Sequence, residues 1–349
     1  HSPYMQKPFF SIIIPAYNLE NYIAAALQSV LVQTFQDFEI IIVDDGSSDE
    51  TVSIIQSFHD PRIHLVSQVN GGVSRARNAG MKKAVGAYIA FLDGDDYWYP
   101  EHLELAADFF NRHPEILAYA NRYMRDELEA IPPRPPSYPE SIRRLGIRGV
   151  LFMHPSSVIL NSSLASRLPP WEEAMPYGED GLYWTRCMRG TGLIGLGGSV
   201  TSIYRQRASS AMHDEHYQHV SLHSLIAPLL NELEAMKNPK WQFAVHYLVI
   251  RELHPKRLLS LNAEERISLT GRIRKIMHPC LNRPFLDSYM KACSARAGME
   301  QSFSALMDRT MFSCKWLDRL ERMGRSLFFR LQTNNGMEGK HQDPARSRS

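Results

Sequence analysis

Three aspartates, Asp93, Asp95 and Asp96, follow the apolar run Ala87–Leu92 directly, in AFLDGDDYWYP. Carboxylates this close repel one another, and a divalent cation carrying a diphosphate would neutralise them. The adjoining sequence offers oxygen ligands and no histidine or thiolate, which favours Mg2+ or Mn2+ over zinc. The plainer reading is a solvated acidic turn whose aspartates cap the helix near Pro100. A second acidic pair, Asp44 and Asp45, precedes the turn Gly46-Ser47-Ser48. One of the pair caps that turn and the other is solvated, or a carboxylate there accepts the N3–H of a uracil ring stacked on an aromatic such as Tyr17.

These residues need elements to position them. FFSIIIP (Phe9–Pro15) and FEIIIVD (Phe38–Asp44) are continuous β-branched runs, the pattern of parallel strands buried on both faces. Between them Ile23, Leu27, Val30 and Leu31 recur at helical spacing within Asn21–Thr34. A helix over Asp49–Phe58 capped by Ser47 or Ser48, a strand at Ile63–Gln68, a helix over Val73–Ala84 and a strand at Ala87–Leu92 continue the alternation. It predicts a doubly wound α/β domain, whose ligands bind beyond the carboxyl ends of the strands. The polar segments PAYN (15–18), DDGSSD (44–49) and DGDD (93–96) fall at such ends.

A helix from Glu101 to Arg112 comes next, and IPPRPPSYP (131–139) reads as a surface loop, a lid or an acceptor-side segment. Short apolar runs return at Val150–Met153, Ser157–Leu160 and Gly198–Tyr204, around a helix from Glu179 through Met188. Beyond His213 the pattern is helical, over Tyr217–Met236, Trp241–Leu253 and Ile267–Met277, the last behind a capping box of Asn262 and Glu265. The polar, aperiodic residues 333–349 read as disordered, and HSPY before Met5 reads as an expression scar rather than a signal peptide.

At 349 residues and 44% hydrophobic composition the chain holds a large core, and its net charge of +2 conceals an asymmetry. Residues 1–125 carry 9 Lys/Arg against 15 Asp/Glu, so an acidic N-terminal part meets a basic remainder. Cys187, Cys280, Cys293 and Cys314 make no CxxC pair and fit reduced thiols in a cytoplasmic protein. No apolar stretch approaches the roughly 20 residues of a membrane span, so any membrane contact is expected to be peripheral. Basic residues are not interleaved with aromatics on a nucleic-acid module.

Taken in order, IIIPAYNLENYIAAALQSVLVQTFQDFEIIIVDDGSSDET, NGGVSRARNAGMKKAVGAYIAFLDGDD and YGEDGLYW resemble glycosyltransferase family 2, the inverting GT-A nucleotide-sugar transferases, over residues 9–205. The resemblance implies a Rossmann-like, mostly parallel sheet flanked by helices over 9–215, with a donor part (9–115) and an acceptor part (116–215). A helical C-terminal appendage (216–332) lies outside it, as do the lead 1–8 and the tail 333–349. It further implies that Pro15, Tyr17 and Asp45 line the nucleobase pocket, with Asp45 on the base, and that Asn18 and Asp44 belong to the nucleotide-sugar site. Arg75 would lie near the diphosphate with Arg77 and Asn78 nearby, although a solvated basic helix start would look the same.

In the DxD pair Asp93-Gly94-Asp95, Asp95 would bind Mn2+ or Mg2+ and Asp93 the ribose or the metal shell, while Asp96 holds the loop. Inverting transfer needs a base for the acceptor hydroxyl, and the family's ED pair falls on Glu179 and Asp180, with Asp180 as that base. The alternative for both is a pair of helix-start carboxylates stabilised by the macrodipole. The segment YRQRASS resembles a family stretch reading YRxHxxS, with Arg207 where the family has histidine. That departure weakens the case for a histidine metal ligand there, and Arg207 would instead neutralise phosphate.

The implied donor is a UDP-sugar and the implied acceptor a glycan or lipid-linked saccharide. Lys315–Leu331 carries an apolar stripe beside a basic face, suited to an anionic membrane surface or to packing on its own protein or a second subunit. A non-catalytic sugar-nucleotide-binding or scaffolding relative is the competing class, against which the acids Asp95 and Asp180 argue. A nucleotidyltransferase would be expected to carry a Gly-rich basic phosphate loop, and PAYNLENY is not one.

Overall fold

The computed structural model describes residues 7–126, 137, 139–143, 153–206, 222–235 and 261–276, together with 245, 248, 249, 252 and 253. Expectations for the segment 1–6, the bulk of the 131–139 loop, the strand at 150–152, Arg207, Cys280, Cys293, Cys314, the 315–331 helix and the 333–349 tail lie outside these residues.

Strands β1 (Phe10–Ala16), β2 (Phe38–Asp44), β3 (Ile63–Ser67) and β4 (Tyr88–Phe91) alternate with helices α1 (Ile23–Leu31), α2 (Thr51–Gln56) and α3 (Val73–Lys83). The four strands pair in parallel in the order β3-β2-β1-β4. The chain moves outward from β1 through β2 to β3, then returns to the opposite flank of β1 as β4. The strand order therefore reverses between β1 and β4, and the reversal opens a crevice at their carboxyl ends.

The continuous apolar runs follow from covering both faces. Ile12 and Ile14 of β1 join Leu27, Val30, Phe109 and Phe110 in one core cluster, while Ile13 faces Phe91, Trp171 and Trp184 in another. Each such isoleucine is fully buried, and burying a side chain of that size contributes about 1.5–3 kcal/mol. Gly80 of α3 approaches Ile13 so closely that an added Cβ would lie 2.5 Å from its Cγ2, which is how α3 comes to lie flat on the sheet.

Beyond β4 the sheet is mixed. Strand β8 (Val158–Asn161) pairs antiparallel with β4 and with β6 (Ala118–Asp126); β9 (Ile194–Arg205) runs parallel to β6. The short strands β5 (Tyr97–Trp98) and β7 (Ser141–Arg143) pair antiparallel with β9. The sequence expectation of a mostly parallel sheet thus describes the first four strands, whereas the later ones join by long-range pairings, antiparallel at β4–β8, β6–β8, β5–β9 and β7–β9 and parallel at β6–β9. Strand β6 carries the polar residues Asn121, Arg122, Arg125 and Asp126, which hid it from a reading based on apolar runs.

Helix α4 (His102–Arg112) packs on the sheet, α5 (Ser162–Ala165) follows β8, and α6 (Glu179–Thr191) begins at Gly178 in a left-handed conformation, φ 77°. Helices α7 (Leu222–Ala235) and α8 (Ala263–Ile276) belong to the C-terminal part. The capping box of α8 forms as expected: Glu265 N–H donates to Asn262 Oδ1 and Asn262 N–H donates to Glu265 carboxylate, each at 2.9 Å. Among the described residues no helix is long and apolar enough to cross a membrane.

Candidate active site

At the end of β1, Pro15 is buried and Tyr17 stands 48% exposed, its ring available at the mouth of the crevice. Asn18 adopts φ 50° and ties this turn to the next one: its N–H donates to Ser47 Oγ and its Oδ1 accepts from Ser48 N–H. Asp44 and Asp45 end β2, both buried. Asp44 accepts from Ser47 N–H at 3.1 Å, the turn-capping role open to it in the sequence. Asp45 reaches across the sheet end, where its carboxylate accepts from Gln68 Nε2 at 2.7 Å, Gly71 N–H at 3.0 Å and Gly72 N–H at 2.7 Å. It therefore anchors the turn that launches α3. Arg75 is exposed and folds over Gly71, whose added Cβ would lie inside its side chain.

The acidic loop follows β4. Gly94 packs against the end of β1, where an added Cβ would stand 3.0 Å from the Pro15 carbonyl oxygen and 2.6 Å from Leu19 Cδ1. Only glycine lets the loop lie this close, so the middle residue of the DxD triplet is set by contact. Asp93 and Asp95 are half-buried, and Asp96 is 1% exposed. The Ser156 hydroxyl joins two of the three acids, donating to Asp96 Oδ2 and accepting from Asp93 N–H at 3.0 Å. Arg205 N–H at the end of β9 donates to the other Asp96 oxygen at 3.0 Å. Burial raises the Asp96 carboxyl well above its ordinary range, the charges of Asp95 and Asp93 raise it further, and the bonds from Ser156 and Arg205 oppose them.

A histidine absent from the local sequence enters here. His154, just before β8, places Nδ1 3.5 Å from Asp96 Oδ2, its ring between Tyr123 at 5.2 Å and Tyr204 at 4.5 Å. One ligand-type atom from each of Asp93, Asp96 and His154 lies within 4.8 Å of the others, a candidate metal-binding group of two carboxylates and an imidazole. Burial lowers the His154 pKa and thereby favours the neutral imidazole that a metal requires. Asp95, named with Asp93 from the sequence, stands beside this group and contributes its charge to it. Sequence reasoning missed His154 because it looked for the histidine at 207; the only local signal was a polar HPSS between two apolar runs.

The third wall is the N-terminus of α6. Glu179 is buried, and burial pushes its carboxyl up to about 7, opposed by Arg77 and reinforced by Asp180. Asp180 is half-buried, with Oδ1 accepting from Gly181 N–H at 2.7 Å. It lies close enough to His154 for its charge to act on the ring. Arg77, expected near a diphosphate or in solvent, is 3% exposed and pairs with Asp93 at 2.8 Å and Glu179 at 2.9 Å, its guanidinium 4.5 Å from the Trp171 ring centroid. Asn78 is likewise buried and bonds the Trp171 backbone in both directions at 2.9 Å and Glu173 at 2.8 Å. It fastens the loop that leads to α6. Thus the structure brings Asp93, Asp95, Asp96, His154, Glu179 and Asp180 into one site, and it holds Asp45, Arg77 and Asn78 in contacts internal to the fold.

Residues 11–166 match the model of glycosyl transferase family 2. An uncharacterised glycosyltransferase of Bacillus subtilis (strain 168), EpsJ, is 49% identical over 92 residues, covering 26% of this chain and 27% of that protein. The chain thus spans about a quarter of that relative's length. The structure of S. aureus TarS residues 1–349 in complex with UDP-GlcNAc superposes with a TM-score of 0.60 over 86% of this chain and 90% of that one, at 20% identity. A mannosyltransferase of Pyrobaculum calidifontis, PcManGT, in complex with GDP-Man and Mn2+, superposes with a TM-score of 0.53 at 15% identity, covering 88% of each chain. At these identities the structural likeness establishes the GT-A fold.

Proposed function

From a chain whose residues 11–166 belong to glycosyl transferase family 2, we propose a metal-dependent inverting glycosyltransferase that moves a sugar from a nucleotide-sugar to a saccharide acceptor. The observation that carries this reading is the meeting of two separate acid sets at one crevice: Asp93 and Asp96 with His154, and Asp180 at the start of α6. One set suits a metal and a leaving diphosphate, the other a proton transfer.

On the donor side, Tyr17 offers its exposed ring to the nucleobase. Asp45 already accepts two contacts from Gly71 and one each from Gln68 and Gly72, which use its roughly four lone-pair positions, so the N3–H of a uracil would displace one of these donors. UDP is accordingly the proposed nucleotide, in line with the UDP-GlcNAc complex of TarS. Arg75, exposed at the start of α3, is the residue proposed to meet the diphosphate. Asp93, Asp95, Asp96 and His154 fit a divalent cation, Mn2+ or Mg2+, because two of the acids are linked through Ser156 and the imidazole is kept neutral by burial. When bound, such an ion acts as a Lewis acid on the departing diphosphate, a contribution of several kcal/mol.

On the acceptor side, Asp180 takes the proton of the attacking hydroxyl as the new glycosidic bond forms at the anomeric carbon opposite the leaving group. Glu179 does not compete for that role, since Arg77 holds it inside the protein. A glycan or lipid-linked saccharide presented on the β6–β9 side is the proposed acceptor, and a surface polysaccharide the proposed product. Work at the cytoplasmic face of a membrane is part of the same proposal.

The test is a donor screen with Mn2+ that reads nucleoside diphosphate released from UDP-, GDP- and TDP-sugars. Release from a UDP-sugar is expected, and release from none overturns the reading. Activity surviving Asp95→Ala would remove the metal assignment that includes it. Replacing Asp180 by Asn should lower transfer by about 10²–10⁴-fold, and an unchanged rate removes the base.

A further inference from the structure

Arg77 sits between the two halves of this chemistry without facing solvent. Its Nη2 donates to Asp93 Oδ1 at 2.8 Å and its Nη1 to Glu179 Oε1 at 2.9 Å, joining positions 16 and 102 residues away in the chain. Burial works against its charge, but the two carboxylates more than offset this and hold its pKa above the ordinary value. The Trp171 ring packs over the guanidinium plane, and the buried Nε has no hydrogen-bond partner among the described residues. Both ends of the guanidinium fork are therefore committed to carboxylates belonging to opposite walls of the crevice.

Each wall holds a reacting group next to the clamped residue. Asp93 belongs to the candidate metal-binding group, and Glu179 is followed by Asp180 at the first turn of α6. The loop leading into that helix is fastened to the same helix α3, since Asn78 bonds the Trp171 backbone. Helix α3 itself is seated on β1 by the Gly80–Ile13 contact. A rigid helix lying on the central strand thus reaches both walls through adjacent residues, Arg77 and Asn78.

We propose that Arg77 is a positioning residue of the transfer reaction: by bridging Asp93 and Glu179 it sets the separation between the metal-binding acids and Asp180, and it does not bind the diphosphate. The proposal rests on the functional reading above. A rigid planar guanidinium that donates from two separate nitrogens fixes the relative position of two carboxylates, which a lysine ammonium cannot do with the same geometry. The separation matters because a misplacement of about 1 Å between reacting groups costs on the order of 10²-fold in rate.

The experiment compares the wild-type chain with Arg77→Lys, Arg77→Met, Glu179→Gln and the Arg77→Met/Glu179→Gln pair. It measures kcat for transfer, UDP binding by calorimetry with Mn2+ present, and the thermal unfolding midpoint. In Arg77→Lys, kcat is expected to fall by about 10²-fold while the UDP dissociation constant stays within about threefold. The double variant should lose no more than the worse single variant, since both changes break one bridge. UDP affinity falling in step with kcat would make Arg77 a diphosphate ligand and overturn the proposal. Full kcat per folded molecule in Arg77→Lys, with only the unfolding midpoint lowered, would reduce Arg77 to a stabilising ion pair and also overturn it. If Arg77→Met does not fold, Arg77→Lys and Glu179→Gln still give the kcat-against-affinity comparison. A wild-type chain that releases no diphosphate from any donor overturns the functional reading and the clamp together, whereas active wild type with unaffected Arg77→Lys overturns the clamp alone.

Discussion

Among the acids of the crevice, Asp96 and Asp180 occupy opposite environments. Asp96 is enclosed, its two oxygens accepting from Ser156 and from Arg205 N–H, and burial beside Asp95 and Asp93 raises its pKa. Asp180 is half-buried at a helix start, where the aligned amides favour a carboxylate. The difference separates an enclosed acid from one open to the crevice, in keeping with the proposal that Asp180 meets the acceptor. Ser156 is the residue on which the enclosed acids depend, since it donates to Asp96 and accepts from Asp93 N–H. Ser156→Ala leaves both groups without that partner. It should destabilise the fold by about 1–3 kcal/mol and weaken Mn2+ binding by about 10–100-fold. Denaturant unfolding and Mn2+ titration check the two effects, and unchanged Mn2+ affinity would separate Ser156 from the metal group.

At the scale of the element, the acidic loop is placed by β1 as much as by β4. Gly94 lies against the Pro15 carbonyl and the Leu19 side chain, so Gly94→Ala must push the loop away from the β1 end. Leu19 can swing aside, but the backbone carbonyl cannot. The expected result is a cost of about 1–3 kcal/mol from overpacking, with weaker UDP and Mn2+ binding. Calorimetry against the wild type measures it, and full affinity would show that the loop tolerates the shift. Helix α6 follows the same logic at its own start, where Gly178 at φ 77° turns the chain so that Glu179 points at Arg77. The strands β1 and β2 were legible because a continuous apolar run has a single reading when both faces are covered. Strands β5 and β7, of two and three residues, owe their existence to pairing with β9 and carry no run of their own.

Across the whole molecule, a buried polar contact fastens helix α4 to the last long strand, β9. His102 is fully buried, stacked on Trp98 at 4.2 Å, and its Nδ1 lies 2.8 Å from Thr201 Oγ1 on β9. Burial lowers its pKa from 6.5 to about 3. The folded state thus resists a proton that the unfolded chain accepts. The stability tied to the neutral ring is present in full above pH 6.5 and is lost as pH falls from there towards 3, by about 1.4 kcal/mol per pH unit. His102→Phe keeps a ring against Trp98 and should flatten the unfolding free energy over that window. Chemical denaturation at a series of pH values measures the slope, and an identical slope in the variant would assign the acid sensitivity elsewhere.

By itself the amino-acid sequence determined the alternation of β1 to β4 with their helices, the collection of polar residues at strand ends, and the capping box of α8. Each of these depends on neighbours a few residues apart, where periodicity and capping chemistry act directly. Tertiary structure decided which polar groups share a site. His154 reaches Asp96 from 58 positions away, and Arg77 reaches Glu179 across 102. A basic residue at a helix start looks alike in sequence whether it meets solvent, a phosphate or a buried carboxylate. Here the sheet closes over Arg77, and once water is excluded only paired carboxylates on both sides can keep its charge in place.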